Sequence, residues 1–198
     1  LNDAGQSLLL DEVLRSAAGK EKRQAISGLM DVKEGEDAEA EIDKAYQRFL
    51  SQLSKAYATL PVQPMPGAER LLTYLRAQGV KVALNTGYNR ATALHLLGRM
   101  RWEEGIQFDL LITADEVSNP RPAPDMIHLA MEKLGITEAE QVAKVGDSKI
   151  DIEEGKNAGC GLTVGVTTGA QKAEQLQEAS PDHIIQQLEQ IMVILRSP

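Results

Sequence analysis

From Pro66 onward the chain alternates between short Val-rich runs and helical stretches, and no other feature limits its possible folds so sharply. The spacing predicts helices over 67–78, 90–100, 125–134 and 150–158, with strands over 80–85, 108–113, 142–145 and 162–166. A weak strand near 183–185 and a helix over 186–195 complete the series. A parallel neighbour strand needs a crossover of about a dozen or more residues, which a helix supplies. Repeated units of this kind give an α/β fold, a parallel sheet covered by helices.

Before Pro66 the pattern differs. Residues 1 to 60 carry helical periodicity rich in Ala, Leu, Glu, Lys and Gln, and no strand signal. Ile42, Tyr46, Phe49, Leu50, Leu53, Tyr57 and Leu60 fall three and four apart, giving one apolar face on a helix over 37–60, read here as a packing face. A shorter helix over 21–30 follows Ala17-Ala18-Gly19. Lys20 and Lys22 stand at its N-terminal end, where cations oppose the helix dipole unless an acid compensates. Pro61, Pro64 and Pro66 form a stiff connector. The expected division is a helical domain over 1–62 and an α/β domain over 63–198.

Composition removes several function classes. A net charge of −8 argues against nucleic acid and anionic membranes, since both attract clustered Lys and Arg. No apolar run reaches the length of a membrane span, and the expected location is the cytoplasm. The one cysteine, Cys160, cannot form an internal disulfide and reads as a small buried residue. His95, His128 and His183 lack ligand spacing.

Three stretches carry chemistry. In Val142–Gly159 (VAKVGDSKIDIEEGKNAG) a strand turns at Gly146 and leaves Asp147 at its carboxyl end, where α/β sheets bind ligands. Asp151 follows four residues later on a helix that Gly159 closes with a left-handed cap. Two such carboxylates suit Mg²⁺, which takes one or two and completes its shell with water and phosphate oxygens. Thr86-Gly87-Tyr88-Asn89 after the second stretch's strand offers a hydroxyl and free amides, a cradle for phosphate or a helix cap. Asn119-Pro120-Arg121-Pro122-Ala123-Pro124 stiffens a loop around one guanidinium suited to phosphate.

Taken in chain order, the three stretches resemble motifs two, three and four of the haloacid dehalogenase-like hydrolases, and the likeness extends over nearly the whole chain. It is nearest to the phosphonatase-like branch: NTGYNR is similar to motif two, RPAPDM to motif three with Arg for the usual Lys, and GDSKIDIEEGKNAG to motif four. The resemblance implies a Rossmann-like core with an all-helical cap, and cytoplasmic turnover of a small phosphorylated or phosphonate substrate with Mg²⁺. It further implies that Thr86 and Arg121 hold the transferring group. Asp147 and Asp151 would serve the metal, while Gly87 and Tyr88 line the substrate side. Gly19-Lys20-Glu21-Lys22 is similar to the cap loop Gly-x-x-Lys. This places Gly19 against the substrate and Lys22 at the position of the lysine that forms a Schiff base in phosphonoacetaldehyde hydrolases. The resemblance leaves room for a homodimer through the cap.

The chain departs from this pattern in two ways. Ala18 and Ala25 stand where phosphonoacetaldehyde hydrolases carry Met and His, which favours a phosphatase with Lys22 in ionic contact over C–P cleavage. The first motif, a strand ending in Asp-x-x-Gly-Thr with the nucleophilic Asp, is missing, and Asp3-Ala4-Gly5 has no strand before it. That strand lies centrally in the family's sheet. Its loss would strand backbone groups at about 1–3 kcal/mol each, in a domain worth about 5–15 kcal/mol. The expectation is that the natural protein has about thirty more N-terminal residues. The alternative is a catalytically inactive relative that binds phosphate or a partner without turnover. A nucleotide-binding reading is weaker, because no G-x-G-x-x-G follows a strand.

Overall fold

A computed structural model describes residues 8–30 and 36–196, so Asp3-Ala4-Gly5 lies outside the described residues. The described chain opens with three helices, α1 (Leu10–Ala17), α2 (Lys22–Leu29) and α3 (Glu36–Thr59), with α2 packed against both others. Glu21 compensates the cations at the start of α2: its carboxylate accepts from the amides of Arg23 and Gln24 at 2.9 and 2.8 Å. On α3, Ala38 and Ile42 are buried, whereas Tyr46, Phe49, Leu50, Leu53 and Tyr57 are half-covered and Leu60 is exposed. The apolar stripe is thus only partly a packing face. Phe49 and Leu53 look into a cavity instead.

The remainder alternates as expected: α4 (Ala68–Ala77), β1 (Ala83–Thr86), α5 (Arg90–Met100), β2 (Leu110–Thr113), α6 (Asp125–Leu134), β3 (Ala143–Gly146), α7 (Lys149–Asn157), β4 (Leu162–Val166), α8 (Ala173–Gln177), β5 (His183–Ile185) and α9 (Ile191–Ile194). Every pairing is parallel. The strands form two sheets, β1–β2 and β3–β4–β5, and among the described residues no strand pairs with the free edge of β1 or of β3. Helix α4 joins the two sheets. Its Leu72 packs with Val82, Leu97, Phe108 and Leu111, its Leu71 with Val164, Val166, Ile185 and Ile191, and Leu75 touches both clusters. Full burial of such a side chain contributes about 1.5–3 kcal/mol.

Local chemistry sets the boundaries. Asn89 caps α5 by accepting from the Thr92 amide at 2.9 Å. Gly135 and Gly159 end α6 and α7 with φ of +69° and +75°. One expectation fails at the C-terminus, and one helix there was not expected. The helix expected over 186–195 shrinks to a 3₁₀ turn and α9, because Gln190 Oε1 accepts from the amides of Gln186 and Gln187 and caps a later start. The short α8 carries too little periodicity to be read beforehand. No described helix is long and apolar enough to cross a membrane.

Candidate active site

Gly19, Lys22, Thr86, Gly87, Tyr88, Arg121, Asp147 and Asp151 all line one cavity of about 1300 Å³ between the helical segment and the carboxyl ends of β1 and β3. The fold brings together every residue that the resemblance placed at the site.

The acidic side begins at β3. Asp147 follows its last residue, and its Oδ2 accepts from the Ala170 amide at 2.8 Å. Gly146 is needed here for close approach: a Cβ would lie 2.2 Å from Asp151 Cβ. Asp151, in the first turn of α7, is buried, with Ser148 Oγ donating to its Oδ2 at 2.5 Å. Its Oδ1 accepts from Arg121 Nη1 and lies 3.1 Å from Lys144 Nζ. Burial alone would raise the Asp151 pKa. The charges of Lys144 and Arg121, with the Ser148 hydrogen bond, outweigh it and hold the carboxyl down at about 2.

The basic side is equally enclosed. Arg121 is 7% exposed, which excludes a surface guanidinium, and its Nε is buried without a hydrogen-bond partner among the described residues. A buried donor without an acceptor is costly unless a ligand supplies one. Thr86 Oγ1 accepts from the Tyr88 amide at 3.2 Å, which leaves the hydroxyl proton to donate into the cavity. Lys22 Nζ donates to the Lys20 carbonyl at 3.2 Å and stands 5.1 Å from the centre of the Tyr88 ring. Burial, followed by the Arg121 charge, pulls the Lys22 pKa below that of an ordinary lysine. The Tyr88 hydroxyl meets that of Tyr57 at 2.9 Å, and burial pushes its pKa well up.

The loop before α2 lies directly on this floor. A Cβ at Gly19 (φ +77°) would stand 2.1 Å from Ile150 Cγ2 and 2.3 Å from Ser148 Oγ, and one at Gly87 would stand 2.7 Å from the Lys20 carbonyl oxygen. Both glycines are required by contact between the helical segment and the α/β part. Cys160 belongs elsewhere: it is half-buried and its thiol is pushed up to about 11, chiefly by burial, so it is a poor nucleophile.

A family model, haloacid dehalogenase-like hydrolase, matches residues 6–165. The chain belongs to the haloacid dehalogenase-like hydrolases. Within that family it is similar to the phosphonoacetaldehyde hydrolase of Bacillus cytotoxicus, 36% identical over 135 residues, which are 67% of this chain and 49% of that protein. The same enzyme of Latilactobacillus sakei is 37% identical over 121 residues, 61% of this chain and 43% of the relative. The chain spans about half the length of the curated relatives it matches. In fold it is similar to a crystal structure of a phosphonoacetaldehyde hydrolase-like protein from Oleispira antarctica, with TM-score 0.81 and 23% identity over 98% of this chain and 81% of the other.

In this haloacid dehalogenase-like chain, sequence reasoning missed Lys144, Glu154, Asn85 and Ser148, which tie the site together beneath the cavity floor. The overlooked signal was charge in an apolar setting. Lys144 interrupts a buried parallel strand, and such a residue is rare unless paired. Among the described residues no three His, Cys, Asp or Glu side chains converge as a metal set. Asp147 and Asp151 provide two hard oxygen donors, within the protein share that Mg²⁺ takes. Asp147 keeps lone pairs for a cation beside its one amide contact, whereas Asp151 is engaged on both oxygens and fits better as a holder of metal-bound water.

Proposed function

We propose that the protein is a Mg²⁺-dependent hydrolase of a small phosphorylated or phosphonate metabolite, working through an aspartyl-phosphate intermediate. The observation that carries this reading is the buried Arg121, which lines the cavity beside Thr86, Asp147 and Asp151 and whose Nε has no acceptor among the described residues. A tetrahedral anion there would receive the guanidinium and the Thr86 hydroxyl together, and donors aimed at the reacting group are what phosphoryl transfer requires. When bound, Mg²⁺ would offset the charge that the carboxylates set against phosphate. Asp147 would ligate it directly and Asp151 would orient its water.

The nucleophile in this reading is an aspartate on a strand pairing between the free edges of β1 and β3, next to both Thr86 and Asp147. The helices α1–α3 would act as the cap, closing Lys22 over the substrate. Ala18 and Ala25 put methyl groups on the cavity wall. With Met and His absent there, P–O cleavage is favoured over C–P cleavage, and Lys22 acts as an ionic contact.

The test is phosphate release from a panel of small phosphomonoesters and phosphonoacetaldehyde, with and without Mg²⁺. The reading expects Mg²⁺-dependent turnover of a phosphomonoester that Asp147→Asn abolishes. Turnover indifferent to Mg²⁺ and to that substitution would overturn it. Reductive trapping of Lys22 by phosphonoacetaldehyde would move the assignment to C–P cleavage.

A further inference from the structure

Beneath the cavity floor lies a buried charge network that the proposed chemistry does not use. Lys144 Nζ donates to Asn85 Oδ1 at 2.7 Å and forms ion pairs with Asp151 Oδ1 at 3.1 Å and Glu154 Oε2 at 2.6 Å. Asn85 Nδ2 in turn donates to both Glu154 oxygens, at 2.9 and 3.0 Å. Lys144 is 6% exposed and Glu154 fully buried. Gly155 makes the room, since a Cβ there would lie 2.7 Å from Lys144 Cβ. Asn85 stands beside Thr86 on β1, and Lys144 lies on β3 with Asp147 just beyond its end. The network therefore bridges the free edges of the two sheets directly below the reacting groups.

Fold stability alone gives little reason for it. A buried ion pair is poorly compensated for desolvation, and apolar residues of like volume hold such elements together as well or better. What an apolar staple cannot do is set the charge at Asp151. Arg121 and Lys144 share Asp151 Oδ1, and among the described residues Arg121 keeps a buried second donor, Nε, without an acceptor.

Building on the function proposed above, we infer that Lys144 is a positioning residue: pinned by Glu154 and Asn85, it holds the Asp151 carboxylate by a second cationic contact, so that Arg121 can turn from Asp151 to an incoming phosphoryl group. Glu154 has the complementary task. Paired with Lys144 at 2.6 Å, it holds the ammonium in place and offsets part of its field, so that Lys144 does not compete with Arg121 for the anion or repel a cation at Asp147.

The sign of each substitution follows. Lys144→Met leaves an extra negative charge beneath the site, which weakens inorganic phosphate and tightens Mg²⁺. Glu154→Gln, nearly isosteric, leaves an extra positive charge, which tightens phosphate and weakens Mg²⁺. Each affinity should move by about threefold or more for a unit charge at this depth. Lys144→Arg keeps the charge and should return both affinities toward wild type. The experiment is titration calorimetry of the intact protein with Mg²⁺ alone and with inorganic phosphate alone, beside its melting temperature.

Opposite shifts in the two variants, with rescue by Arg, support the inference, because a structural staple would weaken both ligands in both variants in step with melting. Such parallel losses overturn it. If Lys144→Met does not fold, Glu154→Gln decides on its own sign. Failure of the isosteric Glu154→Gln to fold overturns the inference by making the network a folding element first. Wild-type protein that binds neither Mg²⁺ nor phosphate sinks the proposed function itself.

Discussion

The hydroxyls of Tyr57 and Tyr88 meet at 2.9 Å, joining the C-terminal end of the longest helix to the turn after β1. Nearby, Arg99 donates to the carbonyls of Tyr57 and Leu60 and satisfies the end of α3. The helical segment is thus fastened to the site at a hydroxyl pair and a capped terminus. Tyr57→Phe removes one hydroxyl, and unfolding in urea should show a loss of about 1 kcal/mol. If the pair also registers Tyr88 on the substrate side, the KM should rise severalfold with kcat nearly unchanged. Burial keeps the Tyr88 phenol neutral, so its absorbance should show no phenolate where ordinary tyrosine titrates.

Gly87 has no left-handed backbone to excuse it, so its need is purely steric. Gly87→Ala would drive a methyl against the Gly19 and Lys20 carbonyl oxygens, at 3.0 and 2.7 Å. Backbone does not rotate away as a side chain does. Overpacking of about 1–3 kcal/mol would be relieved by lifting the loop from the floor. The expected result is a drop of about tenfold or more in kcat/KM with a smaller loss of stability, read by steady-state kinetics and thermal melting.

Asp151 links the site to acid stability. Its folded pKa, about 2, lies below the ordinary 3.8, so the folded state holds the proton more weakly than the unfolded state. The stabilisation is complete above 3.8 and disappears as pH falls toward 2. It amounts to about 2 kcal/mol. Asp151→Asn should flatten the stability profile in that window, measured by denaturant unfolding at stepped pH. At neutral pH the variant should be less stable by about 3–5 kcal/mol, because Arg121 and Lys144 lose their shared counter-charge.

Lys22 shows the reverse case, a cation that the fold disfavours. Its folded pKa is lowered from 10.5 by burial first and Arg121 next, so the unfolded state binds its proton more tightly. The penalty is present below the folded value and relieved as pH rises toward 10.5. Lys22→Met should therefore melt no lower than wild type at neutral pH, while substrate affinity falls by about tenfold or more. Equal losses of stability and affinity would assign Lys22 to packing.

The order of elements was legible because each strand and helix of the α/β part carries its own period and its own terminator. α5, α6 and β4 lie where spacing alone puts them. The site was legible to the extent that its chemistry sits at element ends: Thr86 closes β1, Arg121 follows a proline, Asp147 follows β3 and Asp151 lies in the first turn of α7. What stayed hidden depends on partners distant in sequence. Lys144 becomes intelligible only when Asn85 and Glu154 are seen beside it, 59 residues away in the first case. The room that Gly146 makes for Asp151, beyond the turn expected there, stayed hidden for the same reason. Likewise the stripe on α3 had the right period, but period cannot tell a core face from a cavity wall.

Arg121→Lys separates the two partners a guanidinium has here. Toward Asp151 it acts largely as a charge, and an ammonium could replace it at modest cost. Toward a phosphoryl group it offers a planar fork that includes the Nε now lacking an acceptor, and a lysine has no equivalent. If Arg121 serves the anion, Arg121→Lys should leave the melting temperature close to wild type. It should weaken inhibition by inorganic phosphate about tenfold and raise KM in proportion. If Arg121 serves only to hold Asp151, phosphate inhibition and KM should stay within about twofold while stability carries whatever loss there is. Product-inhibition kinetics beside a melting curve distinguish the two, because the unpartnered nitrogen matters to the first quantity and not to the second.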